Sequence, residues 1–278
     1  MSYNLHIMMN KISETTELRN YFESLGFGKS YQSDAYFELL CEAAKQSEND
    51  VILDAGCGHQ RFKPFFKNCL YIGQEHPVAG KENKDLTTYD ILCDVKSIPL
   101  KDESVSAVLS TSSLEHFEYP QEFFDESHRI LKPGGKIFIV VPACYPMHEV
   151  PFDFQRPTKY GLIRHLRHSG FTEENISVNA GTCDLSTGTF MLEYAASKFI
   201  KSKQKSFQRK FLKLFLAALI PPINKVRSIA SRIEADEMTD MPIVWIAVAT
   251  KEGCYVKNEK TEFGSSKDFL NANLINNL

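Results

Sequence analysis

With 278 residues, 43% of them apolar and 24% charged, the chain can bury a full core as one large domain or as a domain with an appendage. A formal net charge of −3 exerts no overall pull toward nucleic acid or anionic membranes. The seven cysteines are odd in number and form no C-x-x-C pair, which argues for reduced thiols in a cytoplasm-like compartment and against a disulfide framework or zinc site. No run of about 18 apolar residues is present, so no spanning helix is expected. The opening residues, with Glu14, Glu17 and Arg19, show no apolar signal segment, and no secretory signal is expected.

Residues 1–50 read as helical, with Leu39, Leu40, Ala43 and Ala44 on an apolar face. Val51-Ile52-Leu53 is a short, β-rich apolar run that predicts a buried strand, closed by Asp54 and followed by Gly56 and Gly58. In an open α/β sheet, ligands bind beyond the carboxyl ends of the strands, beside such a turn. Arg61 occupies the place of the third glycine of G-x-G-x-x-G, and no phosphate-loop lysine follows. An acid separated from G-x-G by one residue, as in Asp54-Ala55-Gly56, suits a ligand with a cationic amine better than a pyrophosphate. A tight strand-to-helix turn in some other α/β protein is the alternative. Phe62, Phe65 and Phe66 then predict a helix packed on the sheet, with Pro64 near its start. Leu70–Glu75 predicts a second strand ending on an acid, where a carboxylate holds a ribose diol in some nucleotide sites; a solvated strand-end acid is the other reading.

Further on, residues 90–94 and Val105–Ser110 predict two more strands. Phe123, Phe124, Ser127, Ile130 and Leu131 line one side of a helix stopped by Pro133-Gly134-Gly135, before a fifth strand over Lys136–Val141. A helix over residues 157–169 ends at Gly170; Ile176–Val178 and Ile243–Val248 are the last two strands. The alternation of strands and helices predicts an α/β fold with a parallel sheet covered on both faces.

Taken as an ordered set, Asp54-Ala55-Gly56-Cys57-Gly58, Tyr71-Ile72-Gly73-Gln74-Glu75, Ile98-Pro99-Leu100 with Asp102, Leu114-Glu115-His116 and His128–Gly135 resemble the class I S-adenosylmethionine-dependent methyltransferases, in particular those acting on small molecules and glycans. The resemblance covers roughly residues 40–180. It implies a Rossmann-like, seven-stranded, mostly parallel sheet with helices on both faces, and S-adenosylmethionine as cofactor. It assigns Asp54, Gly56 and Gly58 to the methionine end of the cofactor, Glu75 to the ribose hydroxyls, Asp94 and the backbone of Val95 to the adenine, and Ser112 to the neighbourhood of the sulfonium. Gln60 replaces the third glycine of the family's turn, which implies a wider turn with His59 or Gln60 near the methionine carboxylate. Ser106 replaces an acid usual in the fourth strand, away from the cofactor.

The loop over residues 142–157 leaves a strand's carboxyl end and is expected to overhang the cofactor crevice. It carries His148, Glu149, Asp153 and Arg156 among aromatic residues. His148 is the first candidate for a general base and His116 the second; Asp153 and Arg156 are candidates for substrate binding, or else for an ion pair bracing the loop. Similar enzymes show a P-x-D-x-x-R segment, matched here by Pro151, Asp153 and Arg156. Metal binding by His148, Glu149 and Asp153 is set aside because adjacent residues diverge, and no metal is expected.

Between the last two strands lie more than sixty residues, a helical insertion over 182–241. From Lys198 to Ile233 there are ten Lys or Arg and no Asp or Glu. Phe207, Phe211 and Phe215 form one row, Lys201, Lys205, Arg209 and Lys213 another, and Pro221-Pro222 is expected to break the helix, a second basic helix following. A lid, a cradle for an anionic substrate and a peripheral membrane contact through residues 198–233 all fit. Nucleic acid is not expected, because no aromatic-basic stacking platform is visible. The expected organisation is a single domain over 1–255, including the helical region 1–50 and the insertion, then a flexible tail over 256–278. The expected activity is methyl transfer to a hydroxyl, amine or carboxylate of a small-molecule, glycan or sugar-nucleotide acceptor, in the cytoplasm or at a membrane surface. The alternative is a non-catalytic module of the same fold that docks on a membrane or protein through its basic insertion.

Overall fold

The computed structural model describes residues 15–27, 30–77, 89–201, 207–233 and 239–253. Seven strands form a single sheet: β1 (Val51–Ala55), β2 (Leu70–Glu75), β3 (Ile91–Leu92), β4 (Val105–Thr111), β5 (Leu131–Pro142), β6 (Ile176–Ala180) and β7 (Val244–Thr250). Their spatial order is β3-β2-β1-β4-β5-β7-β6, parallel except for β7, which runs antiparallel to both β5 and β6. Order reverses between β1 and β4, so the crevice at their carboxyl ends is the topological switch point.

Strands covered on both faces are buried at every position, as all seven residues of β4 are. Side chains alternate between two cores. Leu53, Val108, Ile137 and Ile139 pack with Phe123, Phe124, Leu162 and Leu166. These last four come from α3 (Pro120–Ile130) and α4 (Lys159–His168). On the opposite face, Ile52, Leu109, Phe138 and Val140 pack with Phe22, Tyr36, Phe37 and Leu40. Phe22 belongs to α1, helical over residues 15–24, and the others to α2 (Tyr31–Gln46), which Ser30 caps through its side-chain oxygen.

Several expectations are corrected. The stretch after Gly58 forms no α-helix; it makes a single 3-10 turn, Lys63–Phe65. Phe62, Phe65 and Phe66 are buried as expected, but as an aromatic cluster against Phe22, Phe37 and Tyr36, which fills the place a longer helix would take. Helix α3 ends at Ile130, ahead of Pro133-Gly134-Gly135, because Leu131 already pairs with Val105 in the sheet. The Pro-Gly-Gly segment lies inside β5, where the register with β4 shifts. Residues 90–94 shrink to the two-residue strand β3.

Within the insertion, α5 (Asp184–Lys201) packs against α6 (Phe207–Ala230). Pro221 and Pro222 do not break α6; the helix runs through them. The side chains of Phe207, Phe211, Lys205 and Arg209 lie outside the described residues, as does the tail over 256–278. Leu214 and Phe215 of α6 are exposed. Among the described residues no helix is long and apolar enough to cross a membrane.

Candidate active site

The carboxyl ends of β1, β2 and β4 converge on the turn over residues 54–60. Asp54 is 1% exposed; its Oδ2 accepts a 2.5 Å hydrogen bond from the Tyr71 hydroxyl, while Oδ1 has no hydrogen-bond partner among the described residues. Burial pushes the Asp54 carboxyl up to about 7, opposed by the Tyr71 hydrogen bond and reinforced by the charge of Glu75. An orphaned, buried carboxylate oxygen at the foot of this crevice suits an ammonium group.

Gly56 and Gly58 both take left-handed backbone, with φ +71° and +51°, but for different neighbours. A Cβ on Gly56 would lie 2.5 Å from Ser113 Cβ, whereas one on Gly58 would meet nothing within 4 Å. Gly56 therefore lets β1 close onto β4, where Ser113 donates to the Ala55 carbonyl (3.0 Å), and Gly58 borders the open crevice. Gly56→Ala is expected to cost about 2–4 kcal/mol in chemical denaturation of the unliganded protein, combining a left-handed L-residue with overpacking. Gly58→Ala carries only the conformational part, about 1–2 kcal/mol. Unchanged stability of Gly56→Ala with lost cofactor binding would return that residue to ligand clearance alone.

Glu75 sits opposite. Its Oε2 accepts the Gly58 N–H (2.9 Å) and its Oε1 the His76 N–H (2.8 Å), which fixes the carboxylate while leaving lone pairs on both oxygens. Asp94, beyond β3, accepts the Lys96 N–H at Oδ1 and pairs with Lys96 Nζ at 3.3 Å; Val95 beside it is buried. Ser112 is exposed at the end of β4 with φ +52°, a conformation that costs a non-glycine residue free energy, and its N–H donates to the Val140 carbonyl. Gln60 also takes a positive φ, doing the work of the missing glycine. Its side chain lies over Gly73 and reaches Asp90 Oδ2 at 3.4 Å, so it turns toward β2 and β3 and not toward the expected methionine carboxylate.

On the other side of the crevice, the 3-10 turn Leu114–His116 follows β4, and the loop after β5 folds over it. Glu115 is wholly buried, and neither carboxylate oxygen has a hydrogen-bond partner among the described residues. Its pKa is raised by burial, with the nearby His116 and Arg156 charges opposing. His148 Nε2 lies 3.7 Å and His116 Nε2 3.9 Å from Glu115 Oε1. Tyr36 on α2 joins the two sides of the crevice: burial raises its pKa, and the charges of both Asp54 and Glu115 push the same way.

Arg156 is engaged within its own loop. It forms a two-bond ion pair with Asp153 and donates to the carbonyls of Tyr145, Pro146 and Gln155, so its N–H groups are used within the loop. Arg156 holds the Asp153 carboxyl down at about 2. This is the ion pair bracing the loop that the sequence offered beside substrate binding for Asp153 and Arg156. The insertion reaches this loop too: Phe190 of α5 stacks on Tyr145 at 5.7 Å, and Tyr145 meets the His148 ring edge-on. Sequence reading missed Glu115 as a site residue. Its signal was an acid placed directly before a histidine, just past a fully buried strand.

Residues 53–139 match a family described as a methyltransferase domain. Over those residues the chain is similar to methyltransferase domains, in line with the resemblance read from the sequence. It is 30% identical over 129 residues to a tRNA (carboxymethyluridine(34)-5-O)-methyltransferase of Arabidopsis thaliana, covering 45% of this chain and 30% of that protein. It is 32% identical over 137 residues to a 25S rRNA (adenine(645)-N(1))-methyltransferase of Schizosaccharomyces pombe, covering 49% and 38%. A malonyl-[acyl-carrier protein] O-methyltransferase of a Marinomonas species is 29% identical over 137 residues, covering 44% and 51%. The chain thus spans between about a third and a half of the length of these relatives. Two of the three are RNA enzymes by name, so the expectation that nucleic acid is not a partner does not stand. That expectation rested on a missing aromatic-basic platform, a feature of non-specific single-strand binding that an enzyme acting on one base does not need.

Proposed function

We propose that the chain transfers a methyl group to a hydroxyl, amine or carboxylate of a small-molecule or glycan acceptor seated between the 54–60 turn and the Glu115–His116–His148 cluster. One observation carries this reading: an orphaned acid and an anchored acid on the β1–β2 side face a buried carboxyl with two histidines on the β4–β5 side. When bound, S-adenosylmethionine supplies an electrophilic sulfonium methyl. Asp54 then pairs with its ammonium, Glu75 accepts from the ribose hydroxyls, and the Asp94–Val95 turn borders the adenine. His148 or His116 takes the acceptor proton during attack, and the buried Glu115 steadies the resulting positive charge. Positioning supplies most of the rate in such a displacement.

Calorimetry tests the cofactor part. Glu75→Ala is expected to weaken S-adenosylmethionine binding by about 1.5–3 kcal/mol, the range for hydrogen bonds to a charged group. An unchanged dissociation constant would make Glu75 only a brace for Gly58. A screen with labelled methyl donor tests the acceptor, offering sugar nucleotides and glycans in one arm and tRNA and rRNA in the other. Labelled RNA with unlabelled sugars would replace the small-molecule reading with the RNA reading that the relatives favour. Cofactor binding with no labelled product in either arm would favour a non-catalytic module.

A further inference from the structure

Glu115, His116 and His148 together form an unusual group. One ligating atom from each, a carboxylate oxygen or a ring nitrogen, lies within 4.8 Å of the other two. Glu115 is completely buried with both oxygens unpartnered among the described residues, and two imidazole nitrogens lie 3.7 and 3.9 Å from its Oε1. These gaps are too long for hydrogen bonds. Ligands about 2.1 Å from a shared ion at tetrahedral or octahedral angles stand roughly 3.0–3.4 Å apart. The two gaps to Glu115, at 3.7 and 3.9 Å, are a few tenths of an ångström wider than that, and the gap between the imidazoles, within 4.8 Å, closes further on loading.

The outer contacts fit the same use. His116 Nδ1 lies 2.7 Å from the Phe152 carbonyl oxygen, which accepts only if Nδ1 carries the proton, leaving the Nε2 lone pair directed at Glu115. His148 Nδ1 lies 3.5 Å from Asp153 Oδ2 and 3.3 Å from Arg156 Nη2. The Arg156 guanidinium only donates, so Nδ1 accepts from it and Nε2 carries the proton; a cation at Nε2 displaces that proton and turns a protonated Nδ1 to Asp153, the carboxylate–histidine arrangement common around metals. Glu149 Oε2, on an exposed side chain, lies 3.6 Å from His116 Nε2 and is placed to complete the set. Three carboxylates surround the two imidazoles against the single guanidinium of Arg156, already paired with Asp153, so the local field favours a cation.

We infer that Glu115, His116 and His148, with Glu149 at the open side, bind one divalent transition-metal cation. This departs from the sequence expectation of no metal, which considered Glu149 and Asp153 beside His148 and not the turn after β4. Two imidazoles and a carboxylate suit zinc, iron(II), cobalt(II) or manganese(II) over magnesium or calcium, and leave positions open to an acceptor oxygen. Its role in catalysis rests on the methyl-transfer reading above. With the cation bound, His116 and His148 are ligands and no longer bases; the cation replaces them by orienting the acceptor hydroxyl and acidifying it. The acceptor O–C bond forms as the sulfonium S–C bond breaks, the electron pair staying on sulfur and the hydroxyl proton leaving to water.

The full chain, stripped with EDTA and dialysed, is titrated with cobalt(II), followed by visible absorption and by calorimetry with zinc(II). One equivalent is expected to bind, with the cobalt bands of a nitrogen–oxygen site. Glu115→Gln and His148→Ala are each expected to weaken it by more than the roughly 10–100-fold that loss of an outer partner costs. The exposed His168→Ala control is expected to bind as the parent does. No cobalt or zinc binding, or binding equal in all three variants, overturns the site; His148→Ala lies on a loop and keeps this readable if Glu115→Gln does not fold. Methyl transfer that persists unchanged in the EDTA-stripped protein overturns the cation's catalytic role and leaves the proposed activity standing. Metal binding without methyl transfer to any acceptor leaves the site standing and removes the activity.

Discussion

Binding of S-adenosylmethionine near pH 6 is expected to release close to one proton, and its affinity is expected to rise up to about tenfold per pH unit until pH 7, then level off. The cause is Asp54. Burial holds its carboxyl at about 7 in the unliganded protein, so it is mostly protonated at pH 6, while its Oδ1 has no partner among the described residues. The ammonium of the cofactor needs the ionised form beside it, and binding must expel the proton. Tyr71 donates to Oδ2, the Glu75 charge resists ionisation and Arg61 assists it. Calorimetry in two buffers of different ionisation enthalpy at each pH reads the proton count directly. Asp54→Asn is expected to lose the proton release and to weaken binding by about 1.5–3 kcal/mol. The sign for stability follows from the same raised pKa. Asp54 adds stability below its unfolded value near 3.8, and that contribution falls by up to about 1.4 kcal/mol per pH unit as pH rises toward 7. Binding that is independent of pH from 5.5 to 8, without proton release, would place the ammonium elsewhere.

The place of Asp54 was legible from sequence, because a β-rich run before two glycines marks the carboxyl end of a strand and the turn beside it. Its protonation was not, since the pKa depends on Tyr71, seventeen residues away and paired only through the sheet. Most strands and the two-faced core were legible for a similar reason: continuous apolar runs mark strands covered on both sides. Helix boundaries were less so. Pro133-Gly134-Gly135 looks like a helix stop, yet pairing of Leu131 with Val105 ends the helix first, and Pro221-Pro222 looks like a break that α6 absorbs. In both places tertiary or helical context outweighs a local signal. The cluster around Glu115 was illegible for another reason. His148 lies more than thirty residues from Glu115 and His116, on a second loop, and only the fold of the 142–157 segment over the turn after β4 brings it to Glu115.

Glu115→Met is expected to raise the stability of the unliganded protein by about 1–3 kcal/mol while lowering kcat by about 10²–10⁴-fold. The two effects have one origin. A carboxyl with no hydrogen bond in a fully buried place disfavours folding, and a thioether of similar length packs there without that penalty. The same carboxyl is the group that balances positive charge on His116 and His148, or holds a cation between them, when an acceptor loses its proton. His148→Ala separates the contributions. Its ring is partly exposed on the loop, so its removal is expected to change stability by less than about 1 kcal/mol while costing a similar factor in kcat. Cofactor affinity is expected to stay near the parent value in both variants, because Asp54, Gly58 and Glu75 are untouched. Thermal and denaturant unfolding without ligand, beside steady-state rates with a methyl acceptor from the screen, check the pattern. Glu115→Met that unfolds more easily and keeps its rate would make Glu115 a packing residue, and the acceptor a nucleophile that needs only to be positioned. Opposite signs for stability and rate at Glu115, with a rate effect alone at His148, are what a strained functional carboxyl demands.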